Sequence, residues 1–268
     1  MDLLISNVSL QMVNYFQRQR RVVLEKWNSR KIRERVNKGV SVGVNDILDL
    51  PVWDRQLAAD AKSFITAAIV AGGNEFALMT SKQLEVDEDL VAAGVIAGLS
   101  RVTEINRTTR RQIESVIQEG IGRGLSVEAI AENIRSVFDT AVKSRAKLVA
   151  TNMVTFGVNE GQMIEASKSG FSYKVWLSQQ DEKVRATHTH ADGQARPLYD
   201  PFAVGSSLMM HPGSLTAPLE ETANCRCTML FTDKPNPRAM LEFGVDPEEL
   251  AKLRESSVIA RLIRDQGV

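Results

Sequence analysis

The sequence predicts a mainly α-helical protein that carries a small α+β head near its C-terminal end. Apolar residues recur at helical spacing through most of residues 7–169, with glycines placed to end individual helices. All three histidines and both cysteines lie within residues 173–228, where two strand-like stretches flank a segment predicted to be loop. We therefore expect long N-terminal helices, a helical hairpin, a short antiparallel sheet with long loops, and a C-terminal helix. The pattern divides the chain into regions 1–103, 104–232 and 233–268.

Composition places the chain among globular proteins and leaves it without net charge. Its 268 residues are 43% hydrophobic and 25% charged, which suffices to bury a core of one or two domains. Lysine plus arginine and aspartate plus glutamate each total 33, so contact with nucleic acid would need local clustering of charge. There is no basic-then-apolar leader, and no apolar run approaches the roughly 18 residues that span a bilayer. We therefore expect a soluble protein.

The first 103 residues are predicted to be helical. Their apolar spacing indicates one long helix, or two in series, over residues 7–38. A further helix over residues 52–78 has an alanine-rich apolar face and is expected to stop near Gly72-Gly73. Small residues in a third helix, residues 88–98, predict close packing against a neighbouring element.

A helical hairpin and a long helix lead into the head. The first arm of the hairpin opens at Asn106 and ends in the glycines of residues 120–124, and Ser126 caps the second arm. A long helix over residues 140–169 follows, with Gly170 placed to terminate it. These glycines and this serine therefore predict where the helices end and begin.

The C-terminal region is predicted to be a helical arm on a linker. Prolines in residues 232–237 indicate the linker, and Asp246-Pro247 is typical of a helix start. Apolar residues at helical spacing then continue to Leu262. Such an arm either docks on a partner or folds back on its own core.

Basic residues are concentrated between residues 18 and 38. One interpretation is a solvated helix face, since charge on an exposed face is the default. The other is a contact with DNA phosphates or with an acidic surface of a partner. The candidate contact residues are Arg18, Arg20, Arg21, Arg30, Lys31, Arg33 and Arg35.

The clustered histidines and cysteines predict a candidate metal site. Two cysteines one residue apart project from the same face of a strand. They are too close together to form a disulfide framework, which fits a reducing compartment such as a cell cytoplasm. Together with His188, Cys225 and Cys227 supply three of the four ligands of a structural zinc site. His190 or His211 would be the fourth.

The alternative to zinc is a site without cofactor. Cys225 and Cys227 would then be small core residues, and His188 would act through hydrogen bonds. The polar side chains of Asp181, Arg185, His188 and Asn224 would form a buried network that pins the loop to the strands. Trp176 is expected in the core under either interpretation.

Two further motifs are excluded by their context. His188-Thr-His190-Ala-Asp192 resembles the opening of binuclear metallohydrolase sites, but only one histidine remains downstream, too few to complete two metal centres. The glycines of residues 120–124 follow a helix and precede a capping serine, so they mark a helix end and not a phosphate loop.

The order of motifs from the hairpin onward resembles a known family. Trp176 is followed by Asp181-x-x-Val184-Arg185-x-x-His188, then Gly193, a proline-glycine step, and Asn224-Cys225-Arg226-Cys227. This combination is similar to the Mu F-like family of tailed-phage minor head proteins, also called head morphogenesis proteins, over about residues 104–231. Many relatives carry Arg-Thr-Glu where this chain has Ala150-Thr151-Asn152, a departure that favours a structural role. The expected structural network comprises Trp176, Asp181, Arg185, His188, Gly193 and Asn224.

The resemblance implies a minor capsid protein of a tailed bacteriophage, located in the virion at the head interior or the portal vertex. It implies a role in head assembly, or in the packaging or ejection of DNA, by binding and not by catalysis. The implied partners are the portal protein, the major capsid or scaffold protein, and packaged DNA, with no membrane contact in the head. Two alternatives stay open: a zinc-dependent hydrolase or nucleotide-directed transferase on the same domain, and a free-standing DNA-binding module.

Overall fold

A computed structural model of the protein describes residues 1–80 and 87–234. The helices are α1 (Asp2–Trp27), α2 (Arg30–Asn37), α3 (Leu50–Thr80), α4 (Glu88–Leu99), α5 (Val102–Gly122), α6 (Val127–Thr140), α7 (Ala146–Lys168), α8 (Ala186–Ala191) and α9 (Leu219–Thr222). The strands are β1 (Tyr173–Leu177), β2 (Ala195–Pro197), β3 (Phe202–Val204), β4 (Ser207–Met209) and β5 (Thr228–Thr232). This confirms the predicted fold class, mainly helical with a small antiparallel sheet. The helix predicted for the C-terminal arm lies outside the described residues.

The N-terminal helices follow the spacing of their apolar residues. The predicted region 7–38 forms two helices in series, α1 and α2. The Ser29 side chain caps α2 by accepting a hydrogen bond from the backbone N–H of Ile32. Gly39 follows α2 with φ +67°, a left-handed conformation that glycine adopts without steric cost.

Helix α3 continues past Gly72-Gly73, where the sequence predicted its end. The two glycines do not end the helix; they allow α3 to cross another helix at close distance. A Cβ atom at Gly72 would lie 2.0 Å from the backbone oxygen of Val158 in α7, and one at Gly161 would lie 1.9 Å from the backbone oxygen of Ile69. Because glycine leaves these positions open, the backbones of α3 and α7 contact each other directly.

Helices α5 and α6 form the predicted hairpin. Gly124 has φ +65°, and the N–H of Leu125 donates to the carbonyl of Gly120, which closes α5. The Ser126 side chain then accepts a hydrogen bond from the N–H of Ala129 and caps α6. The glycine and the serine that the sequence predicted at these positions therefore determine where α5 ends and where α6 begins.

Helices α6 and α7 form one unbroken helix, so the predicted start of a separate helix near Thr140 is wrong. A π-helical turn, Ala141–Arg145, joins them without leaving helical backbone. Arg145 in this turn donates to the carbonyl of Ile105 at 2.9 Å, and its guanidinium lies 5.2 Å from the ring centroid of Phe16. A π turn inserts one residue into an α-helix, so every later side chain is rotated about the helix axis.

The described residues form two compact units, each built from two separated stretches of chain. The hairpin unit comprises Asp2–Ser63 and Leu99–Ala150. The described residues of the head unit are Phe64–Thr80, 87–98 and 151–234, together with Met1. The three predicted regions are consecutive in sequence, whereas these units are discontinuous; the predicted division stays a prediction.

A buried amide side chain organises the centre of the hairpin unit. The Oδ1 atom of Asn106 accepts hydrogen bonds from the Tyr15 hydroxyl at 2.7 Å and from the Gln19 amide at 3.2 Å. Its Nδ2 atom donates to Asp54 at 2.8 Å. Since Asn106 is fully buried, these bonds compensate the cost of removing its amide from water.

Strand β1 is the centre of a three-stranded antiparallel sheet with the order β2–β1–β5. Trp176 pairs with Met229 on β5, and Val175 pairs with Ala195 on β2. Strands β3 and β4 form a separate antiparallel pair. Trp176 and Met229 pack with Phe202 and both cysteines in one buried cluster, so the sheet encloses the candidate site.

The segment between the outer strands of the head contains more secondary structure than predicted. The expected loop holds the short helix α8, the β3–β4 pair and α9. The Cys225–Cys227 segment was predicted to lie in a strand, but it precedes β5, which begins at Thr228. Burial nevertheless alternates through this segment as it does in a strand, because the two cysteines are buried and Arg226 between them is half-buried.

One helix of the described chain, α3, is long and apolar enough to cross a membrane, judged by length and composition alone. The sequence had not been expected to contain such a stretch. Of its most apolar window, 39% is buried inside the fold. Core helices of globular proteins have the same composition, so we assign α3 no membrane role.

Candidate functional site

His188, Cys225 and Cys227 converge inside the head unit, as the candidate metal site required. The Nδ1 atom of His188 lies 3.4 Å from the Cys227 sulfur and 3.7 Å from the Cys225 sulfur. The three candidate ligand atoms all lie within 4.8 Å of one another. The exposed fractions are 2%, 3% and 2% for His188, Cys225 and Cys227, so the group is enclosed.

Two elements bring these side chains together. His188 lies on the buried face of α8, and the segment before β5 directs both sulfurs toward it. The Trp176 ring from β1 packs edge-on against the imidazole, with ring centroids 5.2 Å apart and an interplanar angle of 84°. This contact fixes the plane of the His188 ring, as expected for a core tryptophan.

The two thiols titrate as a pair. A hydrogen bond with Cys227 lowers the pKa of Cys225 well below its ordinary value, and the His188 imidazole acts in the same direction. The pKa of Cys227 is raised well above its ordinary value by that bond and by burial. One proton of the pair therefore leaves easily and the second with difficulty.

Glu221 on α9 is a fourth participant that the sequence did not reveal. Its Oε2 atom lies 3.2 Å from His188 Nε2, on the side of the ring opposite the sulfurs, although Nε2 lacks a well-aligned hydrogen bond. The same oxygen accepts a hydrogen bond from the Thr187 hydroxyl at 2.8 Å. The imidazole is thus placed between two sulfurs and a carboxylate.

Helix α7 holds the cysteine segment through polar side chains. The Thr155 hydroxyl donates to the carbonyl of Cys225 at 2.9 Å, and the Asn159 amide donates to the carbonyl of Cys227 at 3.3 Å. Asn152 accepts a hydrogen bond from the N–H of Asn224 at 3.1 Å. Asn152 thus binds backbone of the cysteine segment.

Asp181 and Arg185, predicted in one network, have separate partners. Asp181 forms a two-pronged ion pair with Arg226, with both N–O distances 2.8 Å, and this bond lowers the pKa of Asp181. Arg185 donates instead to the backbone carbonyls of Glu220 and Ala223. Arg185 therefore holds α9 in place through its backbone, and Asp181 holds the cysteine segment in place through Arg226.

Gly193 and Asn224 contribute backbone conformation. Gly193 has φ +79°, and its N–H donates to the carbonyl of Trp176 at 2.9 Å. Asn224 has φ +53°, a left-handed conformation that asparagine tolerates better than most residues. It is exposed, so its side chain is not part of a buried network.

The two histidines predicted as candidates for a fourth ligand are not in the group. His190 is exposed. His211 is buried, but its Nε2 lies 2.9 Å from Glu160 and its Nδ1 lies 2.9 Å from the carbonyl oxygen of Pro212. The metal group of the described residues therefore has three protein members.

A second enclosed polar group surrounds Lys174 on β1. The Lys174 side chain is fully buried, and Nζ donates to the carbonyl of Met210 at 2.6 Å. Burial lowers the pKa of Lys174 to about 8, although the nearby carboxylates of Asp200 and Glu160 oppose the shift. Burial alone would raise the pKa of Glu160, but its bond to His211 and the Lys174 charge outweigh it, and the pKa is lowered.

Most of the predicted DNA-contact arginines pair with carboxylates. All the pairs lie within the hairpin unit, and four of the acidic partners were not visible in the local sequence. The pairs are Arg18–Asp60, Arg20–Asp139, Arg30–Glu34, Arg33–Glu128 and Arg35–Asp46. Arg21 and Lys31, the other two candidates, are exposed. The surface is therefore one of mixed charge and not a basic stripe.

The three enclosed ligands fit a zinc-class cation by distance. Bond lengths of about 2.0–2.1 Å to nitrogen and 2.3 Å to sulfur at tetrahedral angles place the nitrogen and sulfur ligands about 3.6 Å apart. The observed separations of His188 Nδ1 from the two sulfurs, 3.4 and 3.7 Å, bracket that value. The donor set, one imidazole and two thiols, is also the kind that zinc prefers.

Fold and site together define a class: a mainly helical protein with a small α+β head whose histidine and cysteines face its own core. Residues 111–230 match the family model described as Phage Mu protein F like protein. Over these residues the chain is therefore similar to the Mu F-like family, and the predicted resemblance is confirmed. The matched range lies within the predicted region 104–232. Comparison with curated proteins gave no match, and comparison with solved structures also gave none.

Proposed function

We propose that this protein is a minor capsid and head morphogenesis protein of a tailed phage, associated with the portal vertex and acting by binding. The observation that carries the proposal is the Mu F-like domain at residues 111–230. Burial of the His188, Cys225 and Cys227 group supports a non-catalytic role, since a substrate cannot reach side chains that are 2–3% exposed. For the same reason we do not propose the hydrolase or transferase.

The partners that fit this role are the portal protein and, in the assembling head, the major capsid or scaffold protein. The hairpin unit offers paired charges of both signs along α1 and α2. Such a surface supports a protein partner over DNA, because DNA affinity depends on cationic groups that are free to replace condensed counterions. Electrostatic complementarity with a protein requires both signs.

The test is the location of the protein in phage particles. In the phage that encodes it, heads would be purified and the protein quantified against the portal and major capsid proteins by mass spectrometry. We expect a few copies per head and co-purification with portal protein after gentle disruption of the shell. Absence from purified heads, or a copy number that follows the major capsid protein, would contradict the proposal.

Contact with packaged DNA is tested separately through the two exposed cations. Arg21→Glu combined with Lys31→Glu would be compared with wild type in DNA binding at several salt concentrations. If DNA is a partner, each lost phosphate contact reduces the slope of log affinity against log salt by about 0.9. Unchanged binding and unchanged incorporation into heads would remove DNA contact by this surface from the proposal. Lys183→Glu, a charge reversal on an exposed lysine of the head unit, is the matched control.

A further inference from the structure

Three donor atoms converge on one point inside the head unit. His188 Nδ1 faces both sulfurs, at 3.4 and 3.7 Å, although a neutral imidazole nitrogen offers a single proton or a single lone pair. Hydrogen bonding to the imidazole therefore satisfies one of these contacts, and the second sulfur is left to the bond between the two thiols. A cation between the three atoms uses all of them at once.

Two further buried polar atoms next to the group lack aligned partners. They are Nε2 of His188 and Nε1 of Trp176. A buried donor without a partner costs free energy unless a nearby negative charge compensates it. Two thiolates bound to a cation would supply that charge beside the Trp176 N–H.

The carboxylate behind the histidine completes the pattern. A histidine that binds metal through one nitrogen usually offers its other N–H to a carboxylate or carbonyl, which fixes the tautomer and orients the ring. Oε2 of Glu221 lies 3.2 Å from His188 Nε2, and Thr187 anchors that carboxylate at 2.8 Å. Glu221 thus stands where an outer-shell partner of a metal-bound His188 belongs.

We propose that Nδ1 of His188 and the sulfurs of Cys225 and Cys227 bind one thiophilic divalent cation of the zinc class. The cation joins α8 to the segment that precedes β5, two elements 37 residues apart or more. Three protein ligands leave one tetrahedral position for a small non-protein ligand such as water. Because all three residues are enclosed, that position lies inside the domain, and the cation acts as a cross-link.

The experiment uses the full chain without a histidine tag, stripped with a chelator and then titrated with Zn²⁺ against a chromophoric competitor. We expect one equivalent bound per chain and a rise in the thermal midpoint. Co²⁺ in place of Zn²⁺ should give intense visible bands of a tetrahedral site and a near-ultraviolet sulfur-to-cobalt charge-transfer band. That band is a signature that hydrogen-bonded thiols do not produce.

Variants identify the ligands. Cys227→Ser and His188→Ala should each lower the affinity for Zn²⁺ by more than the roughly 10–100-fold expected for Glu221→Gln, an outer-shell change. His190→Ala, on the same helix but exposed, is the matched control and should bind as wild type does. His188→Cys should restore binding with a stronger charge-transfer band, because a third thiolate replaces the imidazole.

Two results would overturn the proposal, and the first does not depend on how the variants fold. One is a wild-type chain that takes up no stoichiometric Zn²⁺ and shows no charge-transfer band with Co²⁺. The other is a band that persists unchanged in a folded Cys225→Ser or Cys227→Ser protein. Both readings are made on purified protein, so they are independent of whether the chain enters phage heads.

Discussion

Lys174 is a cation enclosed by the head unit. Its amino group donates to the carbonyl of Met210 and lies 5.1 Å from the ring centroid of Phe202. Burial favours the neutral form, which is why the pKa falls from 10.5 to about 8. The unfolded chain keeps the ordinary pKa, so the two states bind different numbers of protons between these values.

We expect the head unit to gain stability as the pH rises from about 8 to about 10.5. In that window the unfolded state binds more protons at Lys174 than the folded state does, and stability increases with pH. Below pH 8 both states are protonated and the gain is absent. Two and a half pKa units correspond to up to about 3 kcal/mol. The free energy of unfolding of wild type minus that of Lys174→Met, from urea titrations across this range, measures it.

Lys183→Met is the control for this prediction, since Lys183 is exposed in the same unit. Its stability should run parallel to that of wild type over the whole range. Equal pH slopes for wild type and Lys174→Met would show that Lys174 titrates as an ordinary lysine.

Asn224 is the exposed residue that turns the chain into the cysteine segment. Its φ of +53° costs a branched residue about 1–2 kcal/mol. We therefore expect Asn224→Val to lower the free energy of unfolding by that amount, and Asn224→Gly to leave it within a few tenths of the wild-type value. Chemical denaturation of the three proteins decides this; a valine variant as stable as the glycine variant would contradict it.

The motif residues of the site were predictable from the sequence, but their contacts were not. His188, Cys225 and Cys227 stand out because rare residue types cluster in one region. Glu221 is one of 33 acidic residues and has no distinguishing neighbour in sequence; only the packing of α9 against α8 gives it a role. The ion pairs of Arg18 and Arg20 could not be predicted from the sequence either, since their partners are 42 and 119 residues away.

Among the elements, the crossing of α3 and α7 allows the least change. Gly161 and Gly72 contact backbone atoms of the opposite helix, and these cannot move aside as a side-chain end can. Gly157, one turn before Gly161, would place a Cβ atom 2.5 Å from that of Ala68. Small residues at this spacing on both helices let the two backbones touch.

We expect Gly161→Ala to destabilise the protein by about 3 kcal/mol or more, because the added methyl group forces the two backbones apart. Gly122→Ala is the matched control. Gly122 also lies in a helix, but a Cβ there meets nothing within 4 Å. That variant should be neutral or more stable by up to about 1 kcal/mol. Thermal and urea unfolding of both variants test this; equal stabilities would show that the helices separate at no cost.

For individual elements, a glycine predicted the end of a helix correctly where its role is in the local backbone conformation. Gly124 and Gly170 were predicted to follow helix ends, and both have positive φ, +65° and +79°. Gly72-Gly73 carried the same local signal but serves a contact with a helix far along the chain. The π turn Ala141–Arg145 was also missed, because nothing in residue spacing distinguishes it from an ordinary helix.

For the molecule as a whole, the predicted region 104–232 does not contain the full head unit. The head unit also uses Phe64–Gly98, where α3 and α4 cover the side of α7 that holds Gly157 and Gly161. A fragment restricted to the matched family domain lacks this cover. The buried surface of α7 would then face solvent.

We expect a fragment of residues 104–234 to lack a cooperative unfolding transition and to bind a hydrophobic dye. A chain of residues 1–234, which keeps all the described residues of both units, should unfold cooperatively and bind little dye. Circular dichroism with urea and dye fluorescence measure both properties. A cooperative, dye-free fragment would show that α3 and α4 are dispensable for the head.

The separation of the two stretches that build the head unit also has a consequence during synthesis. Phe64–Gly98 leaves the ribosome before α7 has been synthesised, and at elongation rates of about 5–20 residues per second the interval is several seconds. Throughout that interval the nascent chain displays an apolar helix whose permanent neighbour has not yet been translated. The yield of folded protein therefore depends on how well this apolar helix is shielded from other chains during the interval.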